Sequence, residues 1–326
     1  TAVFLVAIYG LKAAGFFPFW NEVIDRSGIA NFHTLFNVVV TLLFLPFTKV
    51  LAWLAEHTVP EKAQDATDLD MPVLDQRLIS SPAVALQQAQ GAVEKMARRA
   101  QRNFQLSFGQ LRRWDPEVTT TITHREELLD KMEVSITNYL LQISDQELNE
   151  GESRQVSELL KFISEYERIG DYSINILQCA QRIHEEEITL SKNAWNELDQ
   201  LEKCADKALT IAGDAFASED AGLAAQVEPL EETVDEMCDA LRERHIGRLK
   251  QGDCSIEGGV VFLDVLTNTE RISDHCSNIA ARLIGDETDD PDMHARKHSL
   301  LAGKDAAFNA RLATYEQKYL APLGEK

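Results

Sequence analysis

Cysteine, proline and glycine are sparse in this chain, and the short motifs that mark common chemistries are missing. Five cysteines (Cys179, Cys204, Cys238, Cys254, Cys276) are scattered over 326 residues with no Cys-x-x-Cys pair. That spacing excludes a disulfide framework and a structural zinc knot, and fits reduced thiols in a cytosolic domain. No phosphate-cradling P-loop and no Gly-x-Gly-x-x-Gly is present, and no serine or cysteine sits in a nucleophile motif. No glutamate has a histidine three residues on, which disfavours a carboxylate-bridged di-iron oxidase. The chain therefore reads as non-enzymatic. Base is short too: 32 Lys and Arg stand against 53 Asp and Glu, a net charge of −21. A surface so acidic repels phosphate backbones, so nucleic acid is excluded as a partner.

The acid is unevenly placed. Residues 1–60 balance Lys12, Arg26 and Lys49 against Glu22, Asp25 and Glu56, so the whole −21 lies beyond them. Phe32 to Leu54 is a 23-residue stretch whose one charge is Lys49. As a helix it would reach about 34 Å, enough to cross a bilayer, with Lys49 snorkelling beside Trp53 and Pro46 as a tolerated kink. Thr1 to Trp20 is a second apolar stretch, broken by Lys12, with 21–31 as the loop between. Residues 1–56 are thus expected to be transmembrane segments. The chain starts at Thr1 inside an apolar run, and reads as a fragment of a longer one.

Residues 57–81 are polar and carry Pro60 and Pro72, the composition of a linker. Beyond them apolar positions recur at three and four, and period-two alternation is nearly absent. The fold class expected is all-α, with helices over 82–112, 117–147, 152–186, 191–217, 221–250 and 256–284, then a tail over 286–326. An internal repeat organises these helices. Glu126-Glu127-Leu128-Leu129-Asp130-Lys131-Met132 is echoed 105 residues later by Glu231-Glu232-Thr233-Val234-Asp235-Glu236-Met237. Glu167-Arg168-Ile169-Gly170-Asp171 is echoed 103 residues later by Glu270-Arg271-Ile272-Ser273-Asp274. The unit is therefore two copies of a three-helix bundle, about 82–186 and 191–285.

Each echo is a Glu-x-x-x-Asp pair, which sets two carboxylates one turn apart on one helix face. Such pairs are common in an acidic chain; their recurrence at matched positions is not. Glu167 lies in line with Leu160, Ile163 and Ile174, and Glu270 with Leu263 and Leu266, so the acids interrupt apolar stripes. Carboxylates gathered there would repel one another unless a hard cation neutralised them. The candidate metal ligands are Glu126, Asp130, Glu167 and Asp171 in the first repeat, and Glu231, Asp235, Glu270 and Asp274 in the second. The alternative is an arginine network through Arg168 and Arg271. Small residues at 170 and 273 would let a partner helix approach. His275 is expected to pack or meet solvent, and His294 with His298 is weak ground for a metal.

These segments resemble known sequences. The doubled Glu-Arg-Ile-Gly/Ser-Asp-x-x-x-Asn-Ile signature resembles that of PhoU-like domains, six-helix proteins made of two three-helix bundles. His33-Thr34-Leu35-Phe36-Asn37, Leu74-Asp75-x-Arg77, Ser81-Pro82-Ala83-Val84-Ala85-Leu86 and Tyr315-Glu316-Gln317-Lys318-Tyr319 resemble segments of bacterial sodium/phosphate cotransporters that carry such a domain. The resemblance implies a metal cluster (iron, manganese, zinc or magnesium) on the acidic motifs, and a cytoplasmic regulatory domain behind multi-pass inner-membrane helices. It implies sodium as coupling ion and inorganic phosphate as substrate of the full-length protein, and leaves a homodimer open. The Gln-Ser-Ser motifs of the cotransporter core do not occur in the sequence, so no transport residue is assigned. A membrane-tethered PhoU-type phosphate-signalling module without transport is the alternative.

Overall fold

The computed structural model describes Lys12, residues 71–285 and residues 306–324. The chain divides into two compact units, Thr1–Gln64 and Asp65–Lys326, and the fold described below is that of the second. The spans expected over 1–20 and 32–54, and His294 with His298, lie outside the described residues, apart from Lys12, which is helical and exposed. Among the described residues no helix is long and apolar enough to cross a membrane.

The unit is helical, without strands among the described residues. Its long helices are α1 (Pro82–Arg112), α2 (Pro116–Ser144), α3 (Glu150–Glu185) and α4 (Lys192–Ser218). A short α5 (Ala221–Ala224) precedes α6 (Val227–Gln251) and α7 (Ile256–Ile284). After residues 286–305 comes α8 (Ala306–Tyr315), continued by irregular turns to Leu323.

Local chemistry sets the ends. Pro82 and Pro116 occupy the first turns of α1 and α2, where a missing N–H costs nothing. Asp115 accepts from the Glu117 amide at 2.9 Å. Asn149 and Glu152 form a reciprocal capping box at the start of α3. Gly252 and Gly285 close α6 and α7 with φ of +74° and +90°, conformations that a side chain would strain. The helix expected over 221–250 is broken at Ala225–Gln226, because Pro229 lacks the N–H that a continuous helix would need there. Instead Pro229 falls in the first turn of α6.

Each repeat buries one apolar face against its own neighbours. Alanines at 85, 89, 92 and 100 line α1, letting the bulkier Phe162, Ile163, Tyr166 and Ile169 of α3 approach closely. Leu129, Met132, Ile136, Leu140 and Ile143 run down α2, fully buried, each contributing about 2 kcal/mol of burial free energy. The same burial pattern recurs 105 residues on, Val93 with Leu198, Met96 with Leu201, Ala100 with Ala205 and Phe104 with Leu209.

The two repeats meet through α3 and α7. Tyr172 stacks on His275 with ring centroids 5.6 Å apart, and these are equivalent positions of the two repeats. Asn175 Nδ2 donates to Asn268 Oδ1, and Asn278 Nδ2 donates to Glu165 Oε2, both at 3.1 Å. The second contact is the first one repeated at an offset of 103, so a pseudo-two-fold axis runs beside Tyr172 and His275. His275 packs as expected, against Tyr172, and its Nδ1 in addition lies 2.7 Å from Glu165 Oε2. The stretch expected to be linker differs. From Met71 onwards it folds onto the first repeat, with Met71, Leu74, Leu78 and Ile79 against the core and a 3-10 turn over Gln76–Ser80.

Candidate metal centre

Both acidic faces form where the second helix of a repeat lies against its third. In the first repeat α2 brings Glu126 and Asp130 to Glu167 and Asp171 of α3. Gly170 makes that approach feasible: a Cβ there would lie 2.3 Å from Leu129 Cδ2 and 2.7 Å from Glu126 Oε1. Glu126 is buried, with one oxygen accepting from Asn103 Nδ2 at 2.8 Å. Asn103 is itself held by Arg125 Nε, 2.9 Å from its Oδ1. The other oxygen, Glu126 Oε1, has no hydrogen-bond partner in the protein.

This crowding shows in the acidities. Burial, then the charges of Asp130, Asp171 and Glu167, push the Glu126 carboxyl up to about 8 against the Asn103 hydrogen bond. Burial and the neighbouring Asp171 and Glu133 raise Glu167 to about 7, with a hydrogen bond shared between Glu167 and Asp171. Burial, Asp171 and Glu127 raise Asp130. Arg168 opposes the shift of Glu167 through its charge alone.

The second repeat assembles differently. Glu231 of α6 is fully buried, and Asp235 and Asp274 are half-buried beside it. One oxygen of each falls within 4.8 Å of the others, a spacing that one ion with metal–oxygen distances near ~2.4 Å can bridge. Glu270 stands outside this trio: its Oε2 accepts from Arg242 Nη2. Arg271 Nη1 reaches Asp274 Oδ2 at 3.2 Å. The arginine network expected through Arg168 and Arg271 therefore exists in part, but its main member is Arg242, which sequence spacing gave no reason to single out. Asn103 was likewise hidden, since only the fold carries α1 to the α2 acids, and with it the contact that Arg125 makes across to Asn103.

The donors on both faces are carboxylate oxygens, which suit Mg²⁺, Mn²⁺ or iron better than a structural zinc. A buried acceptor without a hydrogen-bond donor, beside a glycine cradle that admits the partner helix, is the arrangement that a hard cation satisfies. Among the described residues, the one group whose carboxylate oxygens come within 4.8 Å of one another is Glu231, Asp235 and Asp274; on the first face, the buried Glu126 Oε1 without a hydrogen-bond partner is the feature that would suit a cation.

The PhoU domain model matches residues 93–180 and 198–283, together more than half of the chain. The chain is similar to phosphate-specific transport system accessory protein PhoU homolog 1 of Thermotoga maritima, 31% identical over 135 residues. That match spans 41% of this chain and 57% of the relative. The PhoU homolog of Clostridium acetobutylicum is 20% identical over 177 residues, 53% of this chain and 79% of that protein. The crystal structure of PhoU from Pseudomonas aeruginosa shares the fold, with a TM-score of 0.57 at 21% identity over 65% of this chain and 97% of that one. The phosphate transport system regulatory protein PhoU from Streptococcus pneumoniae does so with a TM-score of 0.58 at 21% identity over 64% and 98%. The matched segments are the two three-helix repeats that carry the acidic faces, and the chain belongs to the PhoU domain family.

Proposed function

We propose that this chain is a PhoU-type regulatory module of phosphate transport, tethered to a membrane by residues 32–54, with hard cations held on its two acidic faces. The observation that carries the reading is the duplicated pair of Glu-x-x-x-Asp motifs, each folded face to face across the second and third helices of a repeat. The relatives are named as accessory proteins of a phosphate-specific transport system, and a chain of the same fold is named a phosphate transport system regulatory protein; these names support the regulatory role.

Glu126, Asp130, Glu167 and Asp171 would hold the ion of the first repeat, and Glu231, Asp235 and Asp274, beside Glu270, that of the second. When bound, the cation would supply positive charge that offsets the mutual repulsion of these carboxylates. The chain does the rest. Without a cation, burial and mutual repulsion disfavour the carboxylate forms of Glu126 and Glu167, so both would take up protons far above the ordinary carboxylate range. Loss of those protons to a cation would draw α2 and α3 together across Gly170. The same α2 carries Tyr139, whose hydroxyl donates to the Asp75 carbonyl at 3.0 Å, so a shift of α2 reaches the segment leading upstream.

The test is phosphate uptake, measured in cells at high and low phosphate with the full protein carrying Glu126→Gln and Glu231→Gln. The reading expects uptake to escape restraint at high phosphate. Unchanged regulation with normal protein levels would contradict it.

A second reading rests on the apolar stretch Phe32 to Leu54 and the His33–Asn37 segment. In it, the module closes a sodium/phosphate cotransporter in the inner membrane, with the helical unit cytoplasmic. Sodium-dependent phosphate flux through the purified, reconstituted protein would favour it; flux indifferent to sodium would favour regulation alone.

A further inference from the structure

The two acidic faces stand on equivalent helices but in unlike surroundings. At the offset of 105, Asn103 corresponds to Ala208, Arg125 to Leu230 and Thr137 to Arg242; at the offset of 103, Gly170 corresponds to Ser273. The first face thus has an amide, oriented by an arginine, on its buried glutamate, and no cation at position 137. The second has apolar Ala208 and Leu230 in place of that pair, and a guanidinium on its outer glutamate. Arg242 sits about two helical turns beyond Asp235 on α6, about one third exposed, with Nη1 on Asp239 Oδ1 at 3.0 Å and Nη2 on Glu270. Glu270 is the one motif acid of this face outside the group whose oxygens lie within 4.8 Å.

We infer that Arg242 is a resident counter-charge that holds Glu270 away from the second face and makes the two faces unequal in cation binding. This rests on the reading that both faces hold hard cations. The second face then binds through Glu231, Asp235 and Asp274, with a neighbouring positive charge opposing the ion. The first face has four motif carboxylates, not gathered within 4.8 Å of one another as the second-face trio is, and no arginine at the corresponding place. Two repeats with one ancestral layout thereby respond over two ranges of cation concentration, where identical faces would fill together.

The test is titration of the metal-stripped full chain with Mn²⁺, following the electron paramagnetic resonance signal of the free aquo ion. Glu126→Gln with Asp130→Asn silences the first face, so the remaining site is read alone. In that background Arg242→Thr, which restores the counterpart residue, is expected to tighten Mn²⁺ binding about tenfold, the scale of one charge-assisted pair. Reciprocally, Thr137→Arg in a chain silenced by Glu231→Gln and Asp235→Asn is expected to weaken the first face by about the same factor. Circular dichroism of each variant checks that it folds, and the two exchanges lie in different repeats, so either alone decides. Unchanged affinity in a folded exchange variant, with the wild-type chain binding Mn²⁺, overturns the role of Arg242 and leaves the metal reading standing. No Mn²⁺ binding by the wild-type chain overturns both.

Discussion

Gly170 and Glu126 set the terms at the scale of single residues. Replacing Gly170 by Ala would gain about 1 kcal/mol of helix propensity, yet its methyl would press on Leu129 Cδ2 and the Glu126 carboxylate, costing about 1–3 kcal/mol of overpacking. The clash wins. Denaturant unfolding of Gly170→Ala should show a net loss of up to about 2 kcal/mol, whereas Gly213→Ala, where nothing crowds the new methyl, should be neutral or stabilising. The raised acidities predict an unusual pH profile. Glu126 and Glu167 have folded-state values of about 8 and 7, above the ordinary 4.5, so the folded protein binds more protons than the unfolded one across that interval. Their contribution is fully present below pH 4.5 and is lost as pH rises to about 8. Metal-free protein should therefore melt lower at pH 8 than at pH 6, and saturating Mn²⁺ should remove much of that decline. An increase in melting temperature from pH 6 to 8 without metal would contradict the burial of these acids. All eight motif carboxylates were legible in the sequence because repetition marks them. Asn103, Arg125 and Arg242 were not, since each acts across a helix–helix contact that spacing along one helix does not encode. Only the mismatch of the repeats at those three positions could have pointed to them.

At the scale of elements, the helices were readable where periodicity and caps agree. The helix over 256–284 lies where the pattern placed it, between Ser255, whose hydroxyl accepts from the Gly258 amide, and Gly285. The break before α6 was missed because the apolar pattern runs through it and Pro229 alone dictates it. The described ends of the flanking segments, 71–81 and 306–324, are anchored to the bundle by a few side chains that the polarity around them hides. Tyr139 and Arg244 are equivalent positions on α2 and α6, and each grips a backbone carbonyl of a flanking segment. Tyr139 takes Asp75, and Arg244 takes Leu323 at 2.6 Å, where Tyr319 is buried in the core. Arg244→Ala should raise hydrogen exchange over 306–324 while the six long helices stay protected, and Tyr139→Phe should do the same over 71–81. Tyr139→Phe should cost about 1 kcal/mol, and Arg244→Ala, whose charged guanidinium donates to the carbonyls of both Leu323 and Gly324, about 1–3 kcal/mol. Exchange that rises instead throughout α6 and α7 in Arg244→Ala would show that the segment is integral to the bundle.

Over the whole unit, duplication was plain in the sequence, but how the copies join was not. The joint is a pseudo-two-fold contact of α3 with α7, and its polar centre is asymmetric: Glu165 faces His275, Asn278 and Arg282, whereas its counterpart Asn268 faces Asn175. Glu165→Ala strips a half-buried histidine and arginine of their shared acid, and should cost about 1–3 kcal/mol in thermal or denaturant unfolding. Asn268→Ala should cost less, about 1 kcal/mol. In the proposed function the two copies are united by their acidic faces, and the loading of those faces with metal is the central claim. Elemental mass spectrometry tests it most directly, on the full chain purified without added metal, beside a variant with all eight motif carboxylates converted to amides. Iron, manganese or magnesium present in the first and lost in the second is the predicted result. Equal metal in both, or none in either after incubation with each ion, would contradict it.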